Sequence, residues 1–333
     1  MRTGNLWPVI SPDVAAAVKS LEGEGILAPE QARFFGRVAR GELVSLAPAL
    51  HALLYLGVAA LTTGVGLLFR SELQNLGPIT IALAVGLAAS LCLIWVARRS
   101  PPFSRETVTA PNFAFDYLLV LGALLAAADL AFLETRFRAL GQLWTIHLLI
   151  VALLHAALAF RFDSRALFGL ALVSFAAWRG VAATSLERSV FGFFDDTDAI
   201  RVNALGCGLL FVFLGRLLTR KDFKAHFEPT AAHLGWLLIL QSIAWGLWDG
   251  PTAAQHRFAL VATGAVLAWI SWRGGRFTLF VLGVLAAYFG LMVTVADIVD
   301  EATAILFLTG VSALTLVFGL AAVHRRFPKE VAG

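Results

Sequence analysis

Charge is what this sequence has least of. Only 14% of its 333 residues are Asp, Glu, Lys or Arg, against about a quarter in ordinary soluble proteins. Cysteine is also scarce: Cys92 and Cys207 are the whole complement, and both fall in apolar segments at different expected depths. A disulfide framework is therefore excluded, and buried free thiols are expected. Proline is absent from the centre of every long apolar run; all eleven prolines fall in connecting segments or first turns. That spacing argues against the helices broken near the midplane on which many secondary transporters place substrate. No Gly-x-x-x-x-Gly-Lys phosphate loop, His-Glu-x-x-His, Cys-x-x-Cys or Gly-x-Ser-x-Gly occurs, so no cofactor is expected and no known catalytic signature is present.

What fills the chain instead is apolar sequence. Hydrophobic residues make up 59% of it and the mean hydropathy is +0.80. Ten long apolar segments can be delimited: 46–69, 78–97, 113–133, 141–160, 165–186, 200–218, 231–248, 256–273, 276–297 and 301–323. Each approaches or exceeds the roughly 20 residues a helix needs to cross hydrocarbon. No alternating pattern suggests a β-barrel, the other architecture that satisfies its backbone in lipid. The expected fold class is all-α, a polytopic transmembrane helical bundle of about ten spans. Residues 1–45 form a cytosolic helical hairpin, 46–323 the bundle and 324–333 a cytosolic tail.

Basic residues supply the orientation. With a cytoplasmic amino terminus, 19 of the 26 Lys and Arg residues fall in inner loops and tails, and seven (Arg70, Arg136, Arg138, Arg179, Arg188, Arg201 and Arg257) in the outer half. This is the positive-inside bias, and an even number of spans then leaves both termini cytoplasmic. Trp95, Trp236, Trp269 and Trp272 lie near inner ends, and Trp144, Trp245 and Trp248 near outer ends, as an aromatic belt requires. The net charge of +4 reflects that asymmetry and gives no reason to expect nucleic acid as a partner. The first 45 residues lack the basic start and short apolar core of a cleavable signal, so none is expected.

Within the amino-terminal piece, Ser11-Pro12 is a helix start, Gly23-Glu24-Gly25 a break, and Ala28-Pro29-Glu30-Gln31 a second start for a helix running to about Gly41. Two short helices bury too little surface to stand alone. The expectation is that residues 11–41 pack on the membrane body, on a second copy of the chain or on a protein partner. The hairpin Gly25-Ile26-Leu27-Ala28-Pro29-Glu30-Gln31-Ala32, followed by glycine-punctuated apolar sequence through Gly64-Val65-Gly66, resembles a bacterial membrane-protein family of unknown function, defined by a domain of unknown function. In that family a Gly-Ile-Leu-x-x-Glu-Gln-Ala hairpin precedes a many-spanning body. The resemblance covers mainly residues 20–70. It implies a bacterial inner-membrane protein and assigns no catalytic residue.

Charges inside apolar segments each need a reason, because burying one in hydrocarbon costs about 2.5–3.5 kcal/mol on insertion scales. By helical rise, Asp129 sits about 6 Å, His147 about 9 Å and Arg179 about 10 Å below the outer surface. With Glu134, Trp144 and Trp178 at their border, these residues form a candidate substrate-binding pocket facing outward. There Arg179 would hold an anion and Asp129 or His147 would exchange protons. An Asp–Arg pair that fixes helix packing is the plainer alternative. Asp297, Asp300 and Glu301, spaced i, i+3, i+4, are a candidate oxygen-ligand set for a divalent cation; capping and the helix dipole explain acids there equally well. Asp195-Asp196-Thr197-Asp198 lacks the spacing of the aspartate-rich motif of membrane prenyltransferases, because position 199 is alanine. The basic, aromatic stretch Arg220–Glu228 suits contact with anionic membrane lipids. His155, Gln241 and His256 read as packing or interface residues.

Three functional classes follow from these readings. The first is a transporter or lipid-handling permease using the outer pocket, the second a non-catalytic accessory or scaffold subunit, and the third an intramembrane enzyme acting on a lipid.

Overall fold

In a computed structural model of the protein, residues 20–39, 77–108, 113–143, 145–190, 196–299 and 301–324 are described, together with positions 18, 56, 57, 60, 63 and 64. Side chains 36–39, 113, 142, 181–197 and 302 are not included in that description. The first expected span, 46–69, lies outside the described residues apart from those isolated positions. So do the helix start at Ser11-Pro12 and the tail beyond residue 324. Among the described residues the structure is all-α, with no strand.

The chain divides into two compact units, residues 1–65 and 66–333. In the first, helix ends after Gly23 and the chain turns through Gly25, whose φ of +71° is open to glycine at little cost. The helix α1 (Pro29–Ala39) follows. The Gln31 side-chain oxygen accepts the Ala28 backbone N–H at 3.2 Å, which satisfies a donor that the helix start would orphan. Ile26, Phe34 and Phe35 are exposed in this unit.

The second unit contains α2 (Pro78–Arg99), α3 (Phe113–Phe137), α4 (Ile146–Phe162), α5 (Arg165–Val190), α6 (Asp196–Arg220), α7 (Glu228–Trp245), α8 (Ala253–Arg273), α9 (Phe277–Ile298) and α10 (Ala302–His324). Consecutive helices pack as pairs: α2 on α3, α4 on α5, α6 on α7 and α8 on α9. Among the described residues, six segments are long and apolar enough to cross a membrane: Pro78–Arg99, Ala114–Phe137, Asp198–Arg220, Ala225–Trp248, Phe277–Ile298 and Thr303–His324. They point to a membrane protein. Ile146–Phe162 is a shorter apolar helix. Helix α8 does not reach that apolarity, and its first turn carries Gln255, His256 and Arg257.

Glycine sets the tightest crossings. A Cβ at Gly208 would lie 2.7 Å from the Gly235 carbonyl oxygen, and one at Gly264 would lie 2.6 Å from that of Gly283. Only glycine lets α6 meet α7, and α8 meet α9, backbone to backbone. Two residues before Gly208 on α6, Gly206 faces open space and takes no part in this crossing.

Loops from distant parts of the chain meet at each end of these helices. At one end Lys224 N donates to Arg105 O at 2.8 Å, and Arg161 reaches Ser100 Oγ at 3.0 Å and Pro101 O at 3.2 Å. At the other, Arg201 pairs with Asp249 and Arg257 with Asp297. The connections thus alternate between two ends, as back-and-forth threading requires.

Candidate functional site

The group α6–α9 holds two clefts. The first is lined by Asp198, Arg201, Val202, Leu205, Ser242, Ile243 and His256, and encloses about 310 Å³. The second is lined among others by Arg216, Arg220, Glu228, Trp236, Ser271 and Arg276, and encloses about 380 Å³. Both volumes fall in the range of small-molecule sites, about 300–1,000 Å³. Arg201 and Arg216 are fifteen residues apart on one helix, or about 22 Å, so the clefts sit at opposite ends of α6. Along α7 they come closest, since Trp236 and Ser242 are separated by about 9 Å of rise.

Between them lies an apolar septum. Leu240 and Leu260 are buried there in a cluster that also contains Leu267 and Leu279, with Trp236 and Ile243 packed against it. Ile243 faces the first cleft, and Trp236, Leu267 and Leu279 face the second.

The first cleft is organised by Arg201. Its guanidinium pairs with Asp249, in the connection between α7 and α8, and with Asp198 one turn back at 3.0 Å. Nη2 lies 2.5 Å from His256 Nε2, and His256 Nδ1 lies 2.9 Å from Thr252 O. Arginine only donates and a carbonyl only accepts. His256 therefore carries its proton on Nδ1 and accepts at Nε2. Gly246 makes room for the ring, because a Cβ there would lie 2.5 Å from His256 Cδ2. Ser242 Oγ donates to Arg201 O at 2.8 Å and ties α7 to α6 beneath the cluster. Among the described residues, Arg201 Nε is buried without a hydrogen-bond partner.

In the second cleft Arg276 Nη1 donates to buried Glu228 Oε1 at 2.5 Å. Among the described residues, no ion pair neutralises Arg216 or Arg220. Three arginines against one glutamate leave this cleft cationic above apolar walls.

A third polar cluster is structural in character. Asp163 and Lys224 are almost wholly buried, with side chains 2% and 1% exposed, and Lys224 Nζ lies 2.9 Å from Asp163 Oδ1. His226 Nε2 approaches the same oxygen at 2.7 Å, while its Nδ1 lies 3.0 Å from Thr107 Oγ1. Val108 N donates to Asp163 Oδ2 at 2.5 Å. The cleft beside this knot has room for about one water. Phe103 lies under Lys224, and Phe160, Phe168, Phe223 and Phe227 stack alongside. The cluster clasps three loops together.

The residues singled out from sequence are distributed differently. Asp129 turns its carboxylate to α2, where a Cβ on Gly86 would meet Oδ2 at 3.0 Å. Buried Glu134 accepts the Leu140 N–H at 3.0 Å and so serves a turn. Arg179 lies over the Trp178 ring at 5.8 Å, and among the described residues no ion pair joins it to Asp129. His147 begins α4, and Trp144 lies outside the described residues. Asp297 pairs with Arg257, Glu301 accepts from Thr303 Oγ1 at 3.0 Å, and Asp300 lies outside the described residues. No cluster of three or more His, Cys, Asp or Glu suited to a metal occurs among the described residues.

Sequence reasoning did not single out Arg201, Asp249 and His256 as a site. Arg201 carried one available signal, a charge just inside the apolar segment 200–218. Its partners lie 48 and 55 residues further on, a separation that no local pattern encodes. No family model, curated protein or solved structure matches the chain.

Proposed function

We propose that this protein is a membrane transport protein, a permease for a small polar or amphiphilic solute. One observation carries the reading: two clefts, each with charged side chains over largely apolar walls, open from opposite ends of a single helix group with a buried apolar cluster between them. In transporters, access to a site near the midplane alternates between the two faces; a cleft on each side of an apolar layer suits such a path, and a scaffold has no need of either. The outward polar pocket belongs in this reading to Arg201 and His256, on the side that the positive-inside bias makes external. The Arg216 cleft then faces the cytoplasm. Counting the remaining helices and the segment 46–69 as spans gives ten, with both termini cytoplasmic. The likeness of the Gly25–Ala32 hairpin to the bacterial family supports an inner-membrane location.

The test is to open the septum. Proteoliposomes containing Leu260→Ser/Leu267→Ser protein and a trapped chloride-sensitive fluorophore should admit chloride, while wild-type vesicles stay tight. A folded variant that remains as tight as wild type would remove the basis of the reading.

An accessory role is the second reading, favoured by exposed Ile26, Phe34 and Phe35 on the hairpin. It expects Phe34→Ala/Phe35→Ala to release a co-purifying protein; an unchanged set of partners would count against it.

A further inference from the structure

We infer that the cleft between α6, α7, α8 and α9 binds a phosphate-bearing amphiphile, its anionic head held by Arg216 and Arg220 and its apolar portion lying on Trp236 and Ile270. Three features select this ligand class. Arg216 and Arg220 lie one turn apart on α6 and line the same cleft, the spacing at which helix side chains are neighbours. Arg276, the third arginine, is already engaged by Glu228, so it shapes the wall while the other two stay available. Guanidinium groups match phosphate oxygens in paired hydrogen bonds.

The apolar lining excludes a bare inorganic anion as the best occupant. Ile270 is 45% exposed and Trp236 half-buried, so these two present apolar surface to the cleft, while Leu267 and Leu279, 1% and 3% exposed, continue directly into the septum cluster. A small hydrated ion would leave that lining unsatisfied, whereas an acyl or prenyl portion would cover it. Buried Ser271 adds a hydroxyl-bearing side chain to the lining, in the last turn of α8. The site is thus graded from cationic to greasy. A general excess of basic residues at a membrane face does not require such a gradient.

The inference gives a ligand class to one of the two clefts of the transport reading. The experiment reads equilibrium binding, so it stands or falls whether or not the septum variant leaks. Full-length protein in a neutral detergent is titrated below micelle-forming concentrations with dioctanoyl phosphatidylglycerol, dioctanoyl phosphatidylcholine and inorganic phosphate, following tryptophan emission. The Trp236→Phe protein identifies the responding ring. Phosphatidylglycerol is expected to bind saturably and more tightly than the other two probes. Arg216→Gln/Arg220→Gln should weaken it about thirty-fold, taking about 1 kcal/mol per basic group. Arg273→Gln should leave binding unchanged, because that guanidinium lies 4.1 Å over the Trp269 ring, and neither residue lines the cleft. If the double variant fails to fold, Arg216→Gln alone, an exposed position, should weaken binding about five-fold. Equal binding of the two lipids overturns the arginine role. Inorganic phosphate binding as tightly as the lipid overturns the amphiphile and makes the ligand a soluble phosphate. Unchanged affinity in the folded arginine variants overturns the site.

Discussion

Arg201 Nη2 donates to His256 Nε2 at 2.5 Å, and this contact fixes the histidine in the tautomer that bears its proton on Nδ1. The bond joins α6 to α8 over the mouth of the first cleft. It also explains why a glycine stands at 246, since the ring occupies the space that a side chain would need.

Removing Arg201 should therefore do more than delete a surface pair. Its side chain is 15% exposed and Asp249 39%, so the carboxylate left behind is only partly rehydrated. Arg201→Met should lower stability by about 1–3 kcal/mol. Asp198, 52% exposed, contributes little to that figure. Unfolding in mixed detergent measures the loss. The double variant Arg201→Met/His256→Ala should lose less than the sum of the single changes, because the two residues share one bond.

Asp163 offers a cleaner separation of charge from backbone. Its φ of +64° is a conformation that Asn also tolerates. Asp163→Asn thus keeps the chain path while leaving Lys224 buried without its counter-charge. About 3–5 kcal/mol should be lost. Adding Lys224→Met should restore most of it, by the same unfolding measurement. If the double variant is no more stable than Asp163→Asn, the ion pair is not what holds the three loops.

Glycine substitutions should divide sharply by position. Gly264→Val forces a side chain against the Gly283 carbonyl and the Ala287 nitrogen, both 2.6 Å from the new Cβ. It should cost about 1–3 kcal/mol or more and broaden the protein's gel-filtration profile. Gly206→Ala, with nothing within 4 Å of its Cβ, should be neutral or slightly stabilising, because alanine is the better helix former.

Hydropathy made the helices legible. The expected segments 78–97 and 276–297 are the helices Pro78–Arg99 and Phe277–Ile298 within two residues, because a long apolar stretch leaves few alternatives. The segment 141–160 was less well placed: Gly141, at φ +55°, opens a 3₁₀ turn, and the helix begins only at Ile146. What the sequence hid was which face of each helix meets which neighbour. When every face is apolar, the polar and apolar sides that orient a soluble helix are missing. Nothing in the sequence says that Asp129 looks at Gly86. The same holds for His256, which sequence reading set aside as a packing or interface residue and which sits beneath Arg201 in a cleft. The glycine crossings were partly visible, since paired small residues are a packing signal, but which partner each glycine meets was not.

The most direct test of the two-cleft account is labelling from each side of the membrane. In a Cys92→Ser/Cys207→Ser background, Val202→Cys reports the first cleft and Thr219→Cys the second, both exposed positions. A membrane-impermeant maleimide is applied to right-side-out and inverted vesicles. The account predicts that Val202→Cys reacts only in right-side-out vesicles and Thr219→Cys only in inverted ones. Reaction of both from the same side, or of neither from either side, would contradict it.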